Sequence, residues 1–271
     1  AMLKEAVETA KAADVAVIFA GLPDAFESEG YDREHMAMPN CQNILIEEIL
    51  KVQPNVVVVL HNGSPVEMPW ADQVKGILEA YLCGQGAGAA EAAILFGKVN
   101  PSGKLAETIP YKLSDNPSYL NFPGNGKTVE YKEGVFVGYR YYDTKEMPVR
   151  YPFGYGLSYT KFSIGNIKIK HNKVYATISN IGNCFGGTTL QLYMKRITDV
   201  NGPIKSLIGF RKVYLKQGET KTVLISELTH KLMETWDEGT NSMHFMPGKY
   251  ALFIGNSSKD EDLIPIYKTF K

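Results

Sequence analysis

Gln42-Asn-Ile-Leu-Ile-Glu-Glu-Ile-Leu-Lys-Val-Gln-Pro-Asn-Val-Val-Val-Val-Leu60 holds a helix-like stretch and a strand-like run side by side. Gln42–Val52 reads as a helix, with Asn40 placed to cap it, whereas Asn55–Leu60 is a short apolar run with no period of two. The same alternation extends outward in both directions. Upstream lie a helical stretch, Leu3–Ala13, and an apolar run, Val15–Ala20; downstream lie Gly76–Leu82 and an Ala-rich helix from about Ala87 to Phe96. Unpatterned apolar runs alternating with helices indicate an α/β layer whose short, mainly parallel sheet is covered on both faces. About three strand-and-helix units make a thin sheet with a bare edge strand. That predicts either further chain upstream or a small three-layer domain closed by its neighbour.

From Asn100 to Tyr159 the pattern is irregular. Six prolines from Pro101 to Pro152 punctuate a stretch holding Tyr119, Phe122, Tyr131, Phe136, Tyr139, Tyr141 and Tyr142. These aromatic residues suit either a substrate pocket or a strap packed between domains, and packing is the commoner fate of such side chains. After Phe162 short alternating runs take over: Ile167–Ile169, Val174–Ile178, Thr189–Tyr193, Arg211–Leu215, Lys221–Ile225 and Tyr250–Ile254. Turn signals such as Gly186-Gly187, Asn201-Gly-Pro203 and Pro247-Gly248 separate them. Short strands at that spacing indicate an antiparallel β-sandwich.

Composition narrows the function classes. The 271 residues are 44% hydrophobic and 21% charged, with Lys plus Arg equal to Asp plus Glu at 29 each. That balance offers no bulk field for nucleic acid or an anionic membrane, and no apolar run approaches a membrane crossing. Cys41, Cys83 and Cys184 are too few and scattered for a disulfide framework or a structural zinc site, which favours a reducing, cytoplasmic setting. The first residues carry no charged and apolar signal pattern, although a longer N-terminus would hide one.

Chemistry concentrates in Asp24-Ala-Phe-Glu-Ser-Glu-Gly-Tyr-Asp-Arg-Glu-His-Met36, where Asp24, Glu27, Glu29, Asp32 and Glu34 crowd one Arg33 directly after a predicted strand. Ligands gather at the carboxyl ends of strands in open α/β sheets. Neighbouring carboxylates disfavour ionisation of any one member, and Arg33 opposes this for whichever carboxylate it touches. Three readings follow from the spacing: a solvated loop, an acid/base site, or a calcium site without the regular ligand positions of a known loop type. His35 stands beside the loop, where it is either a surface residue or a contact to a substrate.

Other motifs carry less. Cys83-Gly-Gln-Gly-Ala-Gly88 departs from the dinucleotide fingerprint at its third Gly, so a tight turn with close helix packing is preferred to a phosphate cradle. His35, His61, His171, His230 and His244 show no metal-ligand spacing and read as surface or packed residues; no metal or cofactor is expected. Ser64 lacks a Gly-x-Ser-x-Gly elbow and an evident base. Trp70 is either a sugar-stacking face or, more commonly after Pro, packing.

Seven blocks now stand in a recognisable order: Glu27-Ser-Glu-Gly-Tyr-Asp-Arg33, Asn62-Gly-Ser-Pro-Val-Glu67 with Pro69-Trp70, Val99-Asn-Pro-Ser-Gly-Lys-Leu105, Asp115-Asn-Pro117, Val137-Gly-Tyr-Arg-Tyr-Tyr142, Tyr151-Pro-Phe-Gly-Tyr-Gly-Leu-Ser-Tyr159 and Leu207-Ile-Gly-Phe-Arg-Lys-Val213. Nearly end to end, the chain resembles the C-terminal half of a glycoside hydrolase family 3 β-glucosidase. The resemblance implies a partial α/β sandwich domain over residues 1–113, an aromatic-rich connecting strap over 114–161 and a fibronectin type III-like β-sandwich over 162–271.

It also implies that Glu29, in Ser28-Glu-Gly-Tyr31, is the general acid/base of a retaining enzyme acting on terminal β-D-glucosyl residues of a β-glucoside or oligosaccharide. Tyr31 then corresponds to an aromatic residue that flanks the leaving-group sugar. The family's nucleophile Asp and most contacts to the non-reducing sugar come from an N-terminal (β/α)8 barrel, and its Ser-Asp-Trp block is absent from these residues. The chain alone is therefore expected to be inactive. A β-xyloside is the rival substrate, a non-catalytic carbohydrate-binding or scaffold module the rival function, and a homo-oligomer is compatible with either.

Overall fold

The computed structural model describes residues 1–270, which form two compact units. The first comprises Ala1–Phe96 and Ile109–Asn116. Its elements are α1 (Met2–Lys11), β1 (Ala16–Gly21), α2 (Asn40–Leu50), β2 (Val56–His61), β3 (Gly76–Glu79) and α3 (Ala87–Leu95). The three strands are parallel in the order β1-β2-β3, with Ile18 opposite Val58 and Val58 opposite Ile77.

Burial explains the unpatterned valine run. In β2, Val56, Val58, Val59 and Leu60 are all fully buried, and Ile46 and Ile49 of α2 are buried with them. Coverage of both faces does not extend to β1. There Ile18 and Ala20 are buried, while Val17 and Phe19 remain 42% and 60% exposed, so this edge strand alternates as a half-covered strand does.

Local details depart from the pattern-based expectation at α2. Asn40 is its first helical residue, not its cap; Pro39 takes the cap position, with its carbonyl accepting from Gln42 N and Asn43 N. Pro fixes φ and offers no side-chain acceptor, so this helix starts without a capping side chain. It also ends two residues early, at Leu50. Buried Gln53 is the reason the chain turns there: its Nε2 donates to Ala10 O at 3.1 Å and Ala13 O at 2.5 Å, and its Oε1 accepts from Asn55 N at 2.9 Å. One amide thereby ties the end of α1 to the start of β2.

The second unit comprises residues 97–108 and 117–270. It contains α4 (Tyr139–Thr144) and nine strands: β4 (Phe162–Lys170), β5 (Lys173–Asn180), β6 (Gly186–Arg196), β7 (Ser206–Leu215), β8 (Thr220–Glu227), β9 (Glu234–Asp237), β10 (Ser242–Phe245), β11 (Gly248–Gly255) and β12 (Ile264–Phe270). A three-stranded sheet, β4-β5-β8, and a four-stranded sheet, β12-β11-β6-β7, are both antiparallel, and β9 and β10 form a separate hairpin. Val174, Ala176 and Ile178 of β5 meet Leu190 and Leu192 of β6 and Leu252 and Ile254 of β11 in one core. Alternate residues thus point inward from both sheets, as in a fibronectin type III-like sandwich.

The aromatic strap divides between two fates. Tyr139 stacks on Phe153 at 4.9 Å and meets Tyr193 edge-on at 5.7 Å, and its hydroxyl accepts from Leu207 N at 2.7 Å. Tyr142 is buried. By contrast Tyr119, Phe122 and Tyr131 are exposed. Buried Lys205 reaches Asp143 of α4 at 3.1 Å, and Gln191 Nε2 donates to Asn256 O at 2.6 Å and Gly154 O at 3.3 Å. Polar side chains of the sandwich therefore hold the strap by its backbone and by α4.

Candidate active site

The acidic loop leaves β1 at Gly21 and returns to α2 at Asn40. Its two ends are fastened. Gln42 makes a reciprocal pair with Gly21, donating Nε2–H to the carbonyl and accepting the N–H, each at 2.9 Å. Met36 and Met38 are buried, and Met36 O accepts from Glu67 N at 2.9 Å.

Between those ends the five carboxylates separate by role. Glu27 is committed to the segment after β2: Oε2 accepts from Gly63 N at 2.5 Å and Oε1 from Ser64 Oγ at 2.5 Å. Arg33 completes the cluster, with Nη1 donating to Ser64 Oγ at 2.6 Å and Pro65 O at 3.2 Å and lying 3.7 Å from Glu27 Oε1. Burial lowers the Arg33 guanidinium from its usual value, and the Glu27 carboxylate pulls it back up. Arg33 therefore offsets Glu27, not the loop at large, and Ser64 is held as a structural hydroxyl.

Glu29 is different. Its side chain is exposed and forms no hydrogen bond or ion pair with any described residue. It precedes Gly30, whose φ of +92° lies in a region that L side chains rarely adopt, so the chain reverses there and leaves Glu29 at the tip. Tyr31 follows. Its hydroxyl donates to Asp24 O, closing the turn, while the side chain stays 49% exposed. Asp32, Glu34 and His35 are exposed, and His35 meets Phe26 edge-on at 5.7 Å.

Trp70 is fully buried with Nε1 donating to Asn43 Oδ1 at 3.0 Å, which is packing and leaves no face for a sugar. At Gly84, Gly86 and Gly88 an added Cβ would meet nothing within 4 Å, so the expected close helix packing is not what places these glycines. His230 stacks on Phe245 and His244 bonds Thr240 and Ser242. His61 packs on Phe19, and the fold also brings it to Glu91 and Cys83. Sequence spacing gave no sign of that group, whose members lie on separate elements.

Residues 1–159 match the family described as the glycosyl hydrolase family 3 C-terminal domain. The chain belongs to glycosyl hydrolase family 3. Residues 188–258 match the fibronectin type III-like domain, in agreement with the sandwich topology. Over 268 residues the chain is 52% identical to thermostable β-glucosidase B of Acetivibrio thermocellus, covering 96% of this chain and 35% of that protein. It is 48% identical over 267 residues to an exo-α-(1→6)-L-arabinopyranosidase of Bifidobacterium longum, with 96% and 35% covered. The crystal structure of the Bifidobacterium adolescentis family 3 β-glucosidase superimposes with a TM-score of 0.93 at 45% identity, over 99% of this chain and 41% of that one. This family 3 chain thus spans 35% of the length of these curated relatives and corresponds to their C-terminal part.

Proposed function

We propose that this chain supplies the general acid/base, Glu29, to a retaining family 3 glycosidase whose nucleophile Asp lies on a (β/α)8 barrel outside these residues. One observation carries the reading: of the two Glu residues flanking Ser28, Glu27 is tied down by Gly63, Ser64 and Arg33, whereas Glu29 is presented unpartnered at the Gly30 turn. A proton donor must be free to approach a glycosidic oxygen, and a carboxylate already accepting two hydrogen bonds is not.

In the reaction, Asp attacks the anomeric carbon as the Glu29 carboxylic acid gives its proton to the departing oxygen. Glu29, now a carboxylate, takes a proton from the water that releases the sugar from the enzyme. The two carboxyl groups of such a pair stand about 5–5.5 Å apart. Tyr31, with its hydroxyl anchored on Asp24 O, is proposed to flank the leaving-group sugar. Curated relatives carry names for both β-glucosidase and arabinopyranosidase activity. A β-glucoside is the proposed substrate, because the most similar of the relatives described above is a β-glucosidase.

The test is Glu29→Ala in the full-length enzyme. Turnover of disaccharides should fall about 10²–10⁴-fold, aryl glucosides with good leaving groups should lose less, and azide should restore release of the glycosyl intermediate. Equal loss on both substrates with no azide effect would move the role to another loop carboxylate, with Asp32 the next to replace.

A further inference from the structure

Three side chains of the first unit that take no part in the Glu27 cluster converge. His61 ends β2, Cys83 lies between β3 and α3, and Glu91 sits in the middle of α3. One ligand atom from each, the imidazole nitrogen, the thiol sulfur and a carboxylate oxygen, lies within 4.8 Å of the others.

The geometry is more specific than proximity. His61 Nε2 and Glu91 Oε1 are 3.3 Å apart. Two tetrahedral arms of roughly 2.0–2.1 Å to nitrogen and oxygen place their ends about 3.3–3.4 Å apart, so this pair already has the spacing of two zinc ligands. Cys83 is exposed and flanked by Gly84, around which a Cβ would meet nothing within 4 Å, so its sulfur has room to swing in.

Glu91 adds a second observation. It is 6% exposed, and its Oε1 accepts no hydrogen bond, its charged neighbour being His61 Nε2 at 3.3 Å. A carboxylate costs much to bury unless it is paired and hydrogen-bonded. Its helix, Ala87-Gly-Ala-Ala-Glu-Ala-Ala-Ile-Leu95, is otherwise apolar, so no packing need explains a Glu there. The His61 ring is meanwhile stacked on Phe19 at 6.4 Å, which orients it beside the carboxylate.

We propose that His61 Nε2, Cys83 Sγ and Glu91 Oε1 form a three-ligand zinc site with its fourth position open to water. Imidazole nitrogen, thiolate and carboxylate oxygen are zinc ligands, whereas a thiolate is a poor partner for magnesium or calcium. The Cys83 thiol now donates to Ala80 O at 2.9 Å; on binding it loses that proton to solvent and the sulfur turns to the metal. The ion joins the end of β2 to the middle of α3 through the turn that connects β3 to α3.

The full-length protein, stripped with a chelator, is titrated with Co²⁺ as a spectroscopic stand-in and then with Zn²⁺. One equivalent of cobalt should raise a thiolate charge-transfer band that zinc removes. Cys83→Ser should abolish the band with an unchanged circular dichroism spectrum, since Cys83 is exposed; Cys41→Ser should leave it intact. Glu91→Gln should weaken zinc binding by at least about 10-fold. Absence of the band, its survival in Cys83→Ser, or equal zinc affinity in wild type, Cys83→Ser and Glu91→Gln overturns the site and leaves His61 and Glu91 as an ion pair only.

Discussion

The Ser64 hydroxyl donates to Glu27 Oε1 at 2.5 Å while accepting from Arg33 Nη1 at 2.6 Å, so one small side chain bridges a carboxylate and a guanidinium that are themselves 3.7 Å apart. Ser64 is thereby the fulcrum on which the loop carrying Glu29 rests. The arrangement gives the neighbouring Glu27 a mechanical role and spares Glu29 from one.

Glu27→Gln should loosen this loop. The amide keeps the size but presents one oxygen where two acceptors are needed, and it leaves half-buried Arg33 without its counter-charge. Hydrogen bonds to charged groups contribute roughly 1.5–3 kcal/mol each, and the 3.7 Å ion pair adds little. Faster amide exchange over residues 22–38, with the rest of the sheet unchanged, is the expected result in hydrogen-exchange mass spectrometry.

Two glycines in the same region should fail for different reasons when replaced by Ala. At Gly63 the new Cβ would lie 3.1 Å from the Glu27 carboxyl carbon, so the carboxylate must retreat from Gly63 N. At Gly30 the space is open and the penalty is the positive φ, about 1–2 kcal/mol. Gly63→Ala should therefore resemble Glu27→Gln in exchange rates. Gly30→Ala should instead lower kcat in the full-length enzyme with the Glu27 cluster intact, because it shifts the turn that carries Glu29 and Tyr31.

What the sequence disclosed and what it withheld divide along the range of the interactions. The valines of β2 and the alternating Val174, Ala176 and Ile178 announce their elements because periodicity is local and burial follows it. The half-covered face of β1 was not visible, since Val17 and Phe19 look no different from residues covered on both sides. Strands β9, β10 and β12 carry no legible strand signal because Glu234-Thr-Trp-Asp237, Ser242-Met-His-Phe245 and Ile264-Pro-Ile-Tyr-Lys-Thr-Phe270 mix polar and apolar residues without a clean alternation. In the loop, composition gave five carboxylates and an arginine; only the return of residues 62–65 to Glu27 distinguishes one carboxylate from another. His61 is separated from Cys83 and Glu91 by all of β3 and its flanking loops, a distance no spacing rule covers.

A buried ion pair in the second unit offers a sharper energetic test. Lys205 is 2% exposed, and its side chain lies 3.1 Å from the 15%-exposed Asp143. Removing one partner of such a pair leaves a buried charge and costs about 3–5 kcal/mol, whereas removing both for apolar residues of similar size is often neutral. Lys205→Met should thus lower the stability of this unit in urea far more than Lys205→Met combined with Asp143→Leu. If the double variant loses as much as the single one, the pair is replaceable by neither, and the other contacts of α4 dominate.

Alkaline pH should probe the aromatic seam between α4 and β6. Burial pushes the Tyr193 phenol well above its ordinary value, and the nearby Tyr139 phenol and Asp143 carboxylate push it further; burial also raises Tyr139, against the opposing hydrogen bond from Leu207 N and the charge of Arg140. Above about pH 10 the unfolded chain releases these protons while the folded chain keeps them, so the folded state holds more protons and stability must fall as pH rises. Below that pH the contribution is flat. Each phenol that stays protonated adds a slope of up to about 1.4 kcal/mol per pH unit. Tyr193→Phe loses the hydrogen bond to Gln191 Oε1, about 1 kcal/mol at neutral pH, yet its stability should decline less steeply between pH 10 and 11. Chemical denaturation across that interval checks the slope, and parallel curves for wild type and Tyr193→Phe would assign the alkaline loss to other groups.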